Sequence, residues 1–183
     1  QKVMGEIDRI QLKLRNFLDL SRLQSIVKTR VNPNTLVSDV VEMARREALE
    51  QGVELHLSLN DTLQEWSLDQ SGVKQVLWNL LGNAIASQPE GGEVRIQTRL
   101  VLAEGDKTYF VLEVEDGGPG IANEVLPHIF DPFFTTKEVG KGTGLGLAVV
   151  SSIVEGHNAR IEVRNLKPRG CRFRIVFPAG EEE

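Results

Sequence analysis

Cysteine, tyrosine, tryptophan and histidine are scarce in this sequence: one, one, two and three residues among 183. Cys171, being alone, excludes an internal disulfide and fits a reducing compartment. Positive charge is not in excess either. Acidic residues outnumber basic ones 26 to 21, and the net charge of −5 argues against nucleic acid as a partner. No apolar run approaches the roughly 20 residues that cross a bilayer, and no signal peptide is visible. The chain opens on Gln1 rather than Met, which we read as the start of a piece of a longer protein, so membrane attachment of the whole stays open. Internal repeats are absent. What remains is ordinary: 40% hydrophobic and 26% charged residues support one domain with a core of normal proportions.

Two glycine clusters stand out against this background. Asp116-Gly117-Gly118-Pro119-Gly120-Ile121 and Gly140-Lys141-Gly142-Thr143-Gly144-Leu145-Gly146-Leu147 flank a segment containing Phe130-Asp131-Pro132-Phe133-Phe134-Thr135-Thr136-Lys137. The second cluster runs into the apolar stretch 145–150, which predicts a helix. Gly142, Gly144 and Gly146 leave backbone N–H groups unshielded at its start, where orphan donors and the helix dipole favour phosphate. Asp116 closes an alternating apolar run, and its carboxylate could accept a hydrogen bond from a base amine. An anion cradle and a base acceptor together point to a nucleotide. The familiar fingerprints are missing, however. Leu145 or Leu147 takes the last glycine position of a Gly-x-Gly-x-x-Gly, and Gly140-Lys141 is followed by Gly142 rather than Ser or Thr. For either cluster alone, a simple turn is the plainer reading.

Along the chain, residues 1 to about 30 read as one proline-free helix with a heptad-like seam at Val3, Ile7, Ile10, Leu14 and Phe17. Such a seam has to pack on another helix, in this chain or a partner. Pro33 ends it and divides the chain into 1–32 and 33–183. A second helix starts with Asn34 or Thr35 as cap and stops at Gly52. Residues 53–59 alternate as a strand, 66–68 form a short one, and Asp69 caps a helix to about Ser87. Residues 94–102 and 108–115 form an antiparallel hairpin around Gly105-Asp106. A helix from Gly144 to about Glu155 and strands at 160–164 and 171–177 complete the chain. This order predicts an α+β fold: a two-layer sandwich with a mixed, mostly antiparallel sheet and helices on one face, preceded by the long N-terminal helix.

The helix after Asp69 carries Asn79 and Asn83, four residues apart and therefore on one face, while Leu77, Leu80, Leu81 and Ala84 are available for burial. Carboxamides on an otherwise apolar helix cost free energy if buried without partners. Amide oxygens suit a hard cation such as Mg²⁺.

These four blocks, in this order, resemble the N, G1, F and G2 boxes of the ATP-binding catalytic domain of sensor histidine kinases, in the GHKL superfamily of gyrase and related ATPases. The likeness covers about residues 34–178, and the F box with Thr-Thr-Lys after it looks like the nitrogen-regulatory subgroup. The resemblance implies the GHKL, or Bergerat, ATP-binding fold. It implies ATP or ADP as ligand and Asn83 as the Mg²⁺ ligand, with Asn79 supporting the triphosphate. It further implies Asp116 on the adenine amino group, with Gly118, Gly120 and Ile121 beside the ring. Gly142, Thr143, Gly144, Leu145, Gly146 and Leu147 match the phosphate loop. Lys137 lies in the ATP lid, which Phe133 and Phe134 are expected to anchor against the domain.

Two departures suggest reduced affinity. Ala86 stands where the family often has Lys, and Cys171 follows Gly170 where Thr is usual, a weaker hydrogen-bond partner. The phosphoacceptor histidine is missing: His56, His128 and His157 lie outside any acceptor motif and read as structural or exposed. Residues 1–32 resemble the second helix of the dimerisation hairpin, which places the acceptor upstream of Gln1 and implies a homodimer. The phosphoryl group would then pass to an Asp on a response-regulator receiver domain, in the cytoplasm, whether or not the intact protein is membrane-anchored. The alternatives are a hydrolytic GHKL ATPase and a nucleotide-gated interaction module. Hydrolytic members carry Glu where Asn79 stands, and an amide cannot act as a general base. The interaction module stays open at this stage.

Overall fold

A computed structural model describes residues 26–103, 105, 107–137 and 142–179. Within these, strand β1 (Thr29–Val31) is followed by helix α1 (Pro33–Glu50), strands β2 (Val53–Ser58) and β3 (Trp66–Leu68), and helix α2 (Gln70–Ala86). The hairpin β4 (Gly92–Ala103) and β5 (Lys107–Asp116) comes next, then helix α3 (Gly146–Gly156) and the hairpin β6 (Arg160–Asn165) and β7 (Cys171–Pro178).

Five strands form one sheet in the order β2-β4-β5-β7-β6, with β2 and β4 parallel and the other pairs antiparallel. The mixed, mostly antiparallel sheet was legible in the sequence. Residues on the even positions of β4 and β5 and the odd positions of β6 and β7 turn toward the helices. They bury Val94, Ile96, Phe110, Leu112, Val114, Phe173, Ile175 and Phe177 against Val37 and Val41 of α1, Leu77 and Leu81 of α2, and Val150 and Ile153 of α3. Phe110 stacks on Phe177 at 5.2 Å between ring centres, and Trp66 meets Phe110 edge-on. The opposite face carries charge instead: Glu113, almost wholly buried there, sits 3.3 Å from Arg99 and 3.4 Å from Arg174.

The start of the domain differs from expectation. Thr29–Val31 is a strand, antiparallel to Trp66–Leu68, so a helix does not reach residue 30; residues 1–25 lie outside the described ones. Two β-branched residues in three suit a pleated edge, and a partner strand 37 positions on supplies the hydrogen bonds that a helical reading cannot foresee. The cap of α1 is also earlier than expected. Asn32 Oδ1 accepts from Asn34 N (2.9 Å) and Thr35 N (3.3 Å), because Pro33 has no N–H to satisfy and a φ suited to the first helical position. Asn34 is used elsewhere: its side chain donates to Asn60 O (2.8 Å) and accepts from the buried Thr98 hydroxyl (2.7 Å), tying α1 to β4. Asp69 caps α2 as expected, its Oδ1 accepting from Ser71 N and Gly72 N.

Candidate nucleotide site

The site lies where the ends of β5, β6 and β7 meet α2 and the N-terminus of α3. Strand register builds its first wall. Val94, Asp116, Cys171 and Asn165 are directly opposed in turn across β4, β5, β7 and β6, so all four side chains emerge on the helix side in one row. Asp116 Oδ1 accepts from Gly118 N at 2.9 Å. Burial pushes the Asp116 carboxyl above its usual range, opposed by hydrogen bonds from the Gly118 and Cys171 amides and the Ser87 hydroxyl. Cys171, only 3% exposed, has its thiol pushed up to about 12 by burial and then by the Asp116 charge beside it. The residue that departs from the expected Thr therefore adjoins the candidate base acceptor as a neutral, inert thiol.

The glycines around Asp116 have reasons internal to the fold. A Cβ on Gly118 would lie 2.5 Å from Ser87 Oγ. One on Gly120, whose φ is +80°, would lie 2.8 Å from Asn165 Oδ1. Ile121, the last residue of the loop, packs half-buried on the core.

A second wall comes from α2 and α3. Asn79 and Asn83 are both half-buried on the same face of α2, and their carboxamides have no hydrogen-bond partner among the described residues. A Cβ on Gly146 would meet Asn79 Oδ1 at 3.3 Å, so the first residue of α3 abuts the amide face. Helix α3 has no side-chain cap and no acidic residue in its first turn. Its first helical bond is Val149 N to Leu145 O at 2.9 Å, which leaves the amides of Gly146, Leu147 and Ala148 without helical acceptors. Leu145 is fully buried, and its N–H reaches only the Thr143 hydroxyl, at 3.4 Å. The result is a concentration of N–H donors and a positive helix end facing two free carboxamides.

Between the walls runs the segment after Ile121. A 3₁₀ turn (Leu126–His128) and the buried Ile129, with Phe130 beside it, hold its first half to the core. Phe133 does not anchor it. Its φ is +68° and its ring is 65% exposed, while its amide donates to Gly144 O at 2.8 Å. Here the backbone makes the attachment, against a Gly144 whose Cβ would lie 2.4 Å from the Phe133 carbonyl carbon. Phe134 is half-buried, near His128. Lys137 is exposed and lies over Gly142, which also packs on the Thr135 hydroxyl. Residues 138–141 lie outside the described ones.

The far ends of the two helices are locked together. His157, 3% exposed, accepts from Asp69 N through Nε2 (2.9 Å) and donates from Nδ1 to Ile153 O (2.7 Å). Burial lowers its pKa, so it is neutral and structural. His56 is exposed beside Glu54 and Glu93, and His128 bonds Asp131 on the surface. Sequence reasoning missed Ser87 and Asn165. The first lies four residues beyond Asn83 and was within reach of the same helical spacing; nothing local marks the second. A cleft of about 400 Å³ adjoins the base side of the site, sharing Asp116 and Gly117 and lined further by Arg95, Glu115, Pro168 and Arg169. Among the described residues no group of three His, Cys, Asp or Glu is placed to hold a metal; the carboxamide oxygens of Asn79 and Asn83 are hard ligands of the kind Mg²⁺ accepts.

Comparison with known proteins converges on one family. Residues 68–181 match the family model described as histidine kinase-, DNA gyrase B- and HSP90-like ATPase. The chain is 36% identical to the sensor histidine kinase ZraS of Escherichia coli O157:H7 over 178 residues, 97% of this chain and 37% of that protein. Full-length ShkA, solved in complex with AMPPNP, superposes with a TM-score of 0.80 at 26% identity, covering 94% of this chain and 36% of that one. Histidine kinase ThkA, solved in complex with the response regulator protein TrrA, superposes with a TM-score of 0.79 at 25% identity, covering 97% and 49%.

Proposed function

This chain belongs to the histidine kinase-, DNA gyrase B- and HSP90-like ATPase family, and from that premise we propose that it is the ATP-binding catalytic part of a sensor histidine kinase. The observation that carries the proposal is Asn79, an amide against the bare N-terminus of α3. Where a hydrolase of this superfamily would hold a base to activate water, this chain offers a group that can only donate or accept hydrogen bonds. ATP would place its base against Asp116 and its phosphates on the amides of Gly146 and Leu147. Asn83 would hold Mg²⁺ through its amide oxygen, the ion neutralising phosphate charge. The chain's own part would be to orient the γ-phosphate and, by closure of the segment between Gly120 and Gly142, to exclude water.

The acceptor histidine would lie on a helix upstream of this sequence, with the part of the chain before the strand Thr29–Val31 belonging to the second helix of a homodimeric hairpin. The receiver domain of a response regulator would take the phosphoryl group, a reading supported by the ThkA–TrrA likeness. We place the chain in the nitrogen-regulatory subgroup on Phe130–Lys137, and in the cytoplasm, where ATP is available. Calorimetry with ATP, with and without Mg²⁺, tests the site. Asn83→Ala should abolish most of the Mg²⁺-dependent gain in affinity; retention of the full gain would remove the amide face as the metal holder.

A further inference from the structure

The end of the β6–β7 hairpin holds the base loop in a way that neither the glycine motifs nor the helices account for. Asn165, the last residue of β6, accepts from Ile121 N through Oδ1 at 2.8 Å and donates from Nδ2 to Ile121 O at 2.7 Å. Its carboxamide thus pairs with the backbone of Ile121 as a neighbouring strand would, and the orientation of the amide is fixed because only one placement satisfies both bonds. Around it the contacts are close. Gly120 leaves 2.8 Å for Asn165 Oδ1 and 3.2 Å for Gly170 O, and a Cβ on Gly170 would lie 2.1 Å from Asp116 O. Arg169, on the same turn, donates to Gly117 O. The loop 117–121 is therefore gripped at both ends by the turn between β6 and β7, directly beside Asp116.

The geometry points to Asn165 as a positioning residue for nucleotide binding: by pairing with Ile121 it sets the shape of the base pocket. This rests on the proposed nucleotide function and adds a residue that the motifs do not contain. Asn165 is exposed and its two bonds reach only the backbone of Ile121, so its loss should loosen the loop and spare the fold. The row that holds Asp116 ends on Asn165, which places both carboxamide bonds on the side of the sheet where the base would lie.

The test uses the full chain with Asn165→Ala and the isosteric Asn165→Asp. Aspartate keeps the size and the acceptor but loses the donor, and sets its oxygen against Ile121 O. Both variants should bind ADP about tenfold more weakly, the equivalent of one net hydrogen bond. Their melting temperatures without nucleotide should stay close to wild type, and amide exchange at Ile121 should accelerate. Wild-type ADP affinity in both variants would overturn the inference. So would a fall in melting temperature with ADP affinity unchanged, since that marks a merely structural contact. Failure of the wild-type chain to bind ADP is a separate result: it removes the nucleotide function itself, and the positioning role with it.

Discussion

Replacing Asp116 with Asn should make this protein a poorer ligand binder and no less stable a fold. The carboxylate is half-buried and receives a hydrogen bond from the Gly118 amide at 2.9 Å, with the Cys171 amide and the Ser87 hydroxyl close enough to favour its charged form. Asparagine keeps the shape and one acceptor oxygen, which can still receive Gly118 N. Its second group is a donor, and it confronts the exocyclic amine of adenine with another N–H. A charge-assisted hydrogen bond is worth about 1.5–3 kcal/mol, which converts to a loss of about tenfold to 150-fold in ADP affinity. Stability moves the other way. Burial raises the folded pKa of Asp116, so its contribution is present below about 3.8, the ordinary value, and is lost as pH rises through the folded value. At neutral pH the wild-type chain bears a desolvated charge that Asp116→Asn lacks. The variant without nucleotide should therefore melt at the same or a higher temperature at pH 7, with the gap closing below pH 4. Removing the charge should also lower the Cys171 pKa from about 12, in part only, because burial is the larger cause. Calorimetry with ADP and melting curves across pH read both effects. Unchanged ADP affinity would move the base pocket elsewhere; a large drop in melting temperature at pH 7 would show the carboxylate to be structural.

Asn79→Glu installs a base where the hydrolytic relatives carry one, yet it also brings negative charge against the phosphates. Weaker ATP binding with little gain in hydrolysis is expected, since a base acts only on a positioned water, and a large gain in steady-state phosphate release would refute this. His157 should make the fold acid-sensitive. Its folded pKa is lowered, so its stabilising contact is complete above about pH 6.5 and is lost as pH falls through the depressed value; Lys28 and Asp69 also face the ring, with opposite effects. His157→Gln should flatten melting temperature between pH 7.5 and 5, and an unchanged slope would assign the effect to another group. Incubation with radiolabelled ATP should leave the chain unlabelled, because His56 and His128 are surface residues outside the helix face that holds the phosphates and His157 is buried; acid-labile label on any of them would contradict the proposed division of labour.

What the sequence could determine by itself was short in range. Asp69 caps α2 through amides two and three residues on, Gly52 stops α1 with a φ of +67°, and the alternation in 108–115 specifies which residues of β5 turn toward the helices. These depend on neighbours within one turn or one pleat, so residue order encodes them directly. The Asn79–Asn83 spacing and the glycines at 142–146 were legible for the same reason. Contacts between distant segments were not. Asn165 meets Ile121 across 44 residues and His157 meets Asp69 across 88, and both meetings depend on the strand order β2-β4-β5-β7-β6 and on helix placement. The strand at Thr29–Val31 exists because β3 presents an edge to it, and Phe133 is exposed because Gly144 takes its backbone. A hydrogen bond closed over dozens of residues has no local signature, since its partners are chosen by where the packed elements bring the chain together; only the tertiary structure could place them.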